Sequence, residues 1–349
     1  MVFRMTRLSD LTQAGFDSVI DVRSPSEFAE DRVPGAISLP VLSDEERARV
    51  GTIYVQESPF LARKLGAAIV ARNAAAHLQG PLADKDGGWR PLVYCWRGGQ
   101  RSGSFATILS QVGWRAETLE GGYQMYRRLV VKRLYEDAVP SRVVLIDGYT
   151  GTAKTEILAA LGARGAQIID LEGLANHRGS ALGGRGDQPS QKGFESVLAA
   201  EINALDPTRP VVIEAESSRV GRLNLPSQLF AAMKAALRIE ITAPVEVRAA
   251  YLTRAYSDLV ADADALGERL DRLVRLQGHE KVDRWKAMGA EGDHEALAAE
   301  LMREHYDPGY RKVRGRIGGT TFATFEAGAL DPSDIDRLAG EIAVKLSEL

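Results

Sequence analysis

Hydrophobic residues fall along the chain in short runs bounded by glycine, proline and charge, separated by longer stretches at helical spacing. Runs at 17–23, 36–40, 91–94 and 116–119 predict four strands in the first part of the chain. Between them, 24–28 opens a short helix at a Ser-Pro pair, and 57–73 sets Leu61, Leu65, Ala68 and Ile69 at helical spacing. A further helix is expected over 104–109. Strands alternating with helices build a parallel sheet covered on both faces. The pattern stops near Ala138-Val139-Pro140, and a second begins, with strands expected at 143–147, 166–170, 210–214 and 237–241. From Val245 onward the chain turns mostly helical, over 245–315. The expected architecture is α/β throughout, with one domain over 1–138 and a second over 139–349 that carries the helical extension.

Composition agrees with two ordinary cores. A chain of 349 residues exceeds what one core usually organises, and 45% hydrophobic with 26% charged residues leaves little room for disorder. The net charge of -3 excludes a uniformly cationic nucleic-acid-binding chain, though not a local basic face. A single cysteine makes no internal disulfide. The start MVFRMTRLSD lacks the apolar core of a signal peptide, and no run approaches the length of a membrane span. A cytoplasmic protein without a membrane segment is expected.

That one cysteine, Cys95, opens the string CWRGGQRS at 95–102, between a strand end and a helix start. A thiol of ordinary pKa, ~8.5, is mostly protonated at neutral pH, so a nucleophilic one needs its anion stabilised. Gly98 and Gly99 let backbone N–H groups fold around an anion, and the helix dipole lies beneath them. Arg97 and Arg101 are expected to add fixed positive charge. With Trp96, Gln100 and Ser102 they form a candidate anion cradle, whereas a merely buried core thiol would need neither the arginines nor the glycines. The spacing from Cys95 to Arg101-Ser102 matches the phosphate loop of cysteine phosphatases. Asp21-Val22-Arg23, Glu27-Phe28 and Pro34-Gly35-Ala36 resemble the rhodanese domain, a sulfurtransferase module, and their order favours it.

The second domain begins with a phosphate loop of its own. The stretch DGYTGTAKTE at 147–156 follows a hydrophobic strand and opens a helix, as a P-loop does. Gly148, Gly151, Thr152, Ala153, Lys154 and Thr155 are its expected diphosphate-binding residues. Lys154 would reach the terminal phosphate, and Thr155 could ligate Mg²⁺. The pattern departs from G-x-x-x-x-G-K-[ST] at one position, where Ala153 replaces the final glycine. Asp170 with Glu172, and Glu214 with Glu216, follow later strands where such proteins hold a metal or polarise water; the alternative is a solvated strand end. The polar, Gly-rich stretch from Asn176 to Gln191, with His177, Arg178 and Arg185, is long for a connection and suits an active-site loop. The five histidines are scattered, so no metal site is expected beyond Mg²⁺ at the P-loop.

Further strings join the two halves. LSDEERARVGT at 42–52, CWRGG at 95–99, LANHRGS at 174–180 and HYDPGY at 305–310 together resemble the tRNA 2-selenouridine synthase family over essentially the whole chain. The resemblance implies an enzyme acting on tRNA with 2-thiouridine at the anticodon wobble position. It implies two stages: geranylation of the sulfur by geranyl diphosphate, then displacement of the S-geranyl group by selenium from selenophosphate. Cys95 would be the carrier, as a perselenide. No tightly bound cofactor is implied, and a selenophosphate-supplying enzyme is an implied partner. The cations after Val245 (Arg248, Arg254, Arg269, Arg272, Arg275, Lys281, Arg284 and Lys286) would offer a phosphate-tracking surface, with Arg272 and Arg275 as its candidates. The residues alone leave two rivals: a cysteine phosphatase joined to a P-loop domain, and a carrier that hands a persulfide to a partner protein.

Overall fold

A computed structural model describes the chain apart from Ala181, Arg185 and Gly318, and apart from the side chains of 313–317. Arg185 of the expected active-site loop therefore lies outside the described residues. By contact the chain forms two compact units. The first is Met1–Asp137 with Pro189–Ala204, and the second is Ala138–Gln188 with Leu205–Leu349. A single boundary after residue 138 misses this excursion. The helix Gln191–Ala204 buries Phe194, Leu198 and Ile202, and its Ser196 hydroxyl donates to buried Asp31 at 3.0 Å. Tyr135 of the helix Gly122–Tyr135 also donates to its Glu195, at 2.7 Å.

The first unit holds a parallel sheet in the order β1-β5-β4-β2-β3. Its strands are β1 (Val2–Phe3), β2 (Ser18–Asp21), β3 (Ile37–Ser38), β4 (Pro91–Tyr94) and β5 (Glu117–Leu119). All four residues of β4 are buried, which is why its sequence reads as a continuous apolar run rather than an alternation. Ile20, Val22, Val93, Phe105 and Leu109 form the core beneath it. Each such side chain stabilises the unit by about 1.5–3 kcal/mol on burial. The helix expected over 57–73 is the second of a pair, Asp44–Gln56 and Pro59–Gln79. Ser58 caps the second, accepting from the N–H groups of Phe60 and Leu61, and Pro59 starts it.

The second unit holds another parallel sheet, ordered β12-β11-β6-β8-β7. Its strands are β6 (Val143–Asp147), β7 (Gln167–Ile169), β8 (Val211–Glu214), β11 (Leu237–Thr242) and β12 (Thr321–Glu326). A two-stranded antiparallel pair, β9 (Arg219–Val220) and β10 (Leu223–Asn224), stands apart from it. The helices Lys154–Ala163 and Pro332–Leu346 pack Ile157, Leu161, Leu338 and Ile342 against Val144, Ile146 and Ile239. The helical extension has its own core of Leu259, Leu266, Leu270, Trp285, Leu297 and Leu301. Among the described residues no helix is long and apolar enough to cross a membrane.

Candidate active sites

Each unit places one loop between the end of a central strand and the start of a helix. In the first, β4 ends at Tyr94, and Cys95 follows, 3% exposed, before the helix Gln100–Val112. Gly98 has φ +66°, and a Cβ there would lie 2.6 Å from the Leu119 carbonyl, so no other residue fits without displacing backbone. Gly122 is bound the same way, with Cys95 O and Gly98 N in the space of its absent side chain. The helix that Gly122 begins ties the loop down. Tyr123 N–H donates to Cys95 O at 2.8 Å, and Gln124 N–H donates to Trp96 O at 3.0 Å. The Trp96 ring lies 5.2 Å from Tyr123.

The Ser102 hydroxyl reaches the Cys95 sulfur at 3.2 Å. Burial pushes the thiol toward its neutral form, but the Ser102 hydroxyl and N–H, Arg101 and the Gly99 N–H outweigh it. The net shift is downward, toward thiolate. Arg101 does not act alone: its guanidinium donates to Glu27 at 2.9 Å, and Glu27 also accepts from Ser24 N–H and from Arg47. The charge beside the thiol is therefore shared with a buried carboxylate. Arg97 and Gln100 are exposed at the mouth of the loop. Beneath, Arg23 is buried, doubly bonded to Asp21, with its guanidinium 4.0 Å from the Tyr123 ring centre. The Asp-Val-Arg string is thus a floor for the segment that pins Cys95.

In the second unit β6 runs into the loop 148–153 and the helix Lys154–Ala163. Ala153 takes the left-handed conformation, φ +55° and ψ 30°, that glycine would ordinarily supply. Its methyl is buried in the core. Lys154 Nζ donates to the loop's own carbonyls, Gly148 O at 2.9 Å and Tyr149 O at 3.3 Å. Thr152 closes the loop on Tyr149 O, and the Thr155 hydroxyl donates to Glu172 at 2.9 Å.

The loop floors a cavity of about 590 Å³ whose lining includes Lys154, Glu172, Arg178, Glu216, Arg238 and Tyr251. Glu214 is not a solvated strand end. It is buried, its Oε1 has no partner among the described residues, and burial with Asp170, Glu172 and Glu216 nearby pushes its pKa up to about 9. Burial and Glu172 push Glu216 up to about 8, against the opposing pull of Lys154. Asp170 caps a short helix through Gly173 N–H, and the His177 ring accepts from Gly179 N–H. Arg178 pairs with Asp258 at 2.9 Å and lies 4.5 Å from the Tyr256 ring centre.

The residue pattern did not point to the braces behind this loop. Arg248, expected on a phosphate-tracking face, is buried instead: it is doubly bonded to Asp307 and donates to Thr150 O at 3.1 Å. Tyr310 donates to Asp147 and accepts from Gly148 N–H. Asp147 also binds Arg238 at 2.7 Å. A five-residue π-helix, Met302–Tyr306, precedes Asp307 and offsets it from a regular helical register. The HYDPGY string was the one signal for this brace. Of the other cations on that face, Arg254 and Arg269 donate to carbonyls, and Lys281, Arg284 and Lys286 are in ion pairs. Arg272 and Arg275 are exposed and form no ion pair among the described residues.

Residues 5–129 match the rhodanese-like domain, and residues 141–271 match the tRNA 2-selenouridine synthase AAA domain. A tRNA 2-selenouridine synthase of Bdellovibrio bacteriovorus is 34% identical over 281 residues, 77% of this chain and 71% of that protein. The protein of the same name from Chromohalobacter salexigens is 34% identical over 326 residues, 84% of this chain and 87% of that one. That from Aeromonas salmonicida is 33% identical over 335 residues, 86% and 89% respectively.

Proposed function

Because the chain belongs to the tRNA 2-selenouridine synthase family, we propose that its two anion cradles divide one tRNA modification, exchanging the sulfur of wobble 2-thiouridine for selenium in two steps. In the first, geranyl diphosphate rests on the loop 148–155. The thiocarbonyl sulfur attacks the carbon bearing the diphosphate, the C–O bond breaks toward diphosphate, and the uridine N3 proton is released. Lys154 exchanges loop carbonyls for the departing oxygens, and no water need be activated, so turnover requires no ATP. Alkylation turns a poor leaving group into a good one.

In the second step selenium from selenophosphate is loaded on Cys95 as a perselenide by a two-electron oxidant of the disulfide class; its attack on C2 expels the S-geranyl group as a thiol, and a small thiol then reduces the S–Se bond and frees the seleno-base. The observation that carries this reading is the lowered Cys95 pKa beside Ser102 and Arg101, a cradle suited to a thiolate and a tetrahedral anion. The Cys95 to Arg101-Ser102 spacing and the Ser102 contact also favour a second reading of the same loop. Cys95 would attack phosphorus, release selenide, and lose its phosphoryl group to water, which needs no oxidant, whereas a perselenide made from selenophosphate requires removal of two electrons. Intact-mass measurement of the trapped Cys95 adduct separates the two.

Among the described residues no group of three or more His, Cys, Asp or Glu could by itself hold an ion. Thr155 and Glu172 are oxygen donors that would hold Mg²⁺ only with diphosphate oxygens completing the set, and such an ion would neutralise phosphate charge. The tRNA docks over Arg272 and Arg275. Reversing both charges should weaken binding and flatten the log–log salt slope by about 2, read from titrations at several salt concentrations. The setting is the reducing cytoplasm, with a selenophosphate-supplying enzyme as partner. The deciding experiment is nucleoside mass spectrometry of 2-thiouridine tRNA incubated with the protein, geranyl diphosphate and selenophosphate. S-geranyl-2-thiouridine followed by 2-selenouridine is expected; phosphate release from a generic aryl phosphate without selenation would refute it.

A further inference from the structure

A second, smaller cavity of about 70 Å³ opens beside the phosphate loop. It shares Thr150, Ser180, Leu252, Tyr256 and Tyr306 with the large one, so the two meet along a common wall. Its own lining includes Leu182, Leu259, Leu266, Leu297, Ala298 and Leu301. No carboxylate, lysine or arginine is among the described residues that line it.

The shared wall sets Leu252 and the rings of Tyr256 and Tyr306 beside the hydroxyls of Thr150 and Ser180. The hydroxyls of Ser180 and Tyr256 are 3.1 Å apart, one donating to the other. Arg178, over the Tyr256 ring and paired with Asp258, holds that ring in place. The Asn-His-Arg-Gly-Ser string at 176–180 thereby supplies one member of the wall, Ser180, and the arginine that braces another. A ligand with phosphates against Lys154 and an apolar chain would find cations only at the phosphate end, Thr253 and His294 being the polar side chains that the small cavity adds to the leucines.

We propose that this side cavity takes the tip of the apolar chain of a diphosphate ester seated on the loop 148–155, and that its small volume sets the chain length the enzyme accepts. The proposal rests on the geranyl diphosphate reading above and adds to it a specificity-determining subsite. By volume the cavity holds a branched chain end rather than a whole prenyl group, so the part nearer the diphosphate remains in the large cavity. A dimethylallyl chain would fall short of the wall, and a farnesyl chain would overfill it.

The test compares transfer from dimethylallyl, geranyl and farnesyl diphosphate to 2-thiouridine tRNA, with inhibition by inorganic diphosphate as the readout of the phosphate end. Ala298→Phe fills the cavity and should raise KM for geranyl diphosphate by at least about tenfold, leaving inhibition by diphosphate unchanged. Leu266→Ala enlarges it and should shift the farnesyl-to-geranyl ratio upward by about tenfold. Should Leu266→Ala melt too low to assay, Val260→Ala opens the same lining. Chain-length ratios unchanged in folded variants of both kinds would overturn the subsite while leaving geranyl transfer standing. A wild-type protein that transfers no prenyl group from any of the three would instead refute the geranylation reading, and the subsite with it.

Discussion

The Cys95 loop and the Lys154 loop both join a central parallel strand to the start of a helix, and they differ in what their polar groups face. Around Cys95 the hydrogen bonds are closed. Arg101 is held by Glu27, the loop carbonyls by Tyr123 and Gln124 N–H groups, and the sulfur by Ser102. Around Lys154 the ammonium bonds to the loop's own carbonyls, and two carboxyls nearby, buried Glu214 and half-buried Glu216, have raised pKa values. The first arrangement favours an anion made by the protein itself. The second can accept negative charge only if a ligand brings it and Lys154 turns. A carrier needs a settled thiolate, while a site for a departing diphosphate gains by holding its cation in reserve.

The sharpest way to break this comparison is Lys154→Ala. Loss of the one lysine at the loop should lower geranyl transfer by about 10² to 10³ or more, and selenation with it, read as missing S-geranyl-2-thiouridine. Unchanged geranylation would remove the loop from the first step. Cys95→Ala should then separate the sites. Geranylation should persist, S-geranyl-2-thiouridine should accumulate, and 2-selenouridine should vanish, with Cys95→Ser behaving alike. Loss of both products in a folded Cys95→Ala protein would mean that the loops do not divide the work.

How far the sequence led depended on how local each feature is. Both loops were legible because Gly98 and Lys154 act through backbone directly beside them. So were the central strands, since β4 and β6 are buried on both faces and read as apolar runs. β12 was not found: it is a sheet-edge strand whose residues are half-exposed or exposed, and its pairing to β11 is a long-range fact. Glu27 was visible only as part of a motif, because its role needs Arg101, 74 positions away. Arg248 was misplaced for the opposite reason. Helical spacing put it among surface cations, and only the contact with Asp307 shows that it turns inward. The helical spacing of Phe194, Leu198 and Ile202 marks a helix but not the unit it packs on, since any amphipathic helix would look the same.

The carboxyl cluster offers a smaller effect, on stability. Burial and the neighbouring carboxylates hold the Glu214 pKa up at about 9 in the fold, against an ordinary 4.5, so the folded state binds the extra proton between those values. Its contribution is fully present below the lower value and is lost as pH rises toward the upper. Wild-type protein should therefore melt lower as pH rises from about 5 to 9. Glu214→Gln removes this share and leaves that of Glu216, whose pKa is about 8; it should reduce that slope and melt about 4 °C or more above wild type near pH 8. Thermal melts across this range decide it, and a slope unchanged by the substitution would show that Glu214 ionises in the fold.

The smallest expected effect concerns Ala153, the residue that most distinguishes the second loop. Its left-handed backbone costs an alanine about 1–2 kcal/mol. Glycine would relieve that, yet it gives the unfolded chain about 0.5–1 kcal/mol of extra freedom. Glycine also deletes a buried methyl worth about 0.8 kcal/mol. These terms nearly cancel, so Ala153→Gly should move the melting temperature by no more than about 2 °C. The functional question is then clean, because stability is held constant. If the loop serves only to cradle a diphosphate that departs intact, inhibition by inorganic diphosphate should change by less than about threefold, since the N–H groups of Lys154 and Thr155 stay on the same helix start. A variant that instead acquired ATP-dependent turnover would show that the Ala153 methyl keeps this loop from nucleotide chemistry, and the contrast with the Cys95 loop would then lie in that one methyl rather than in Lys154.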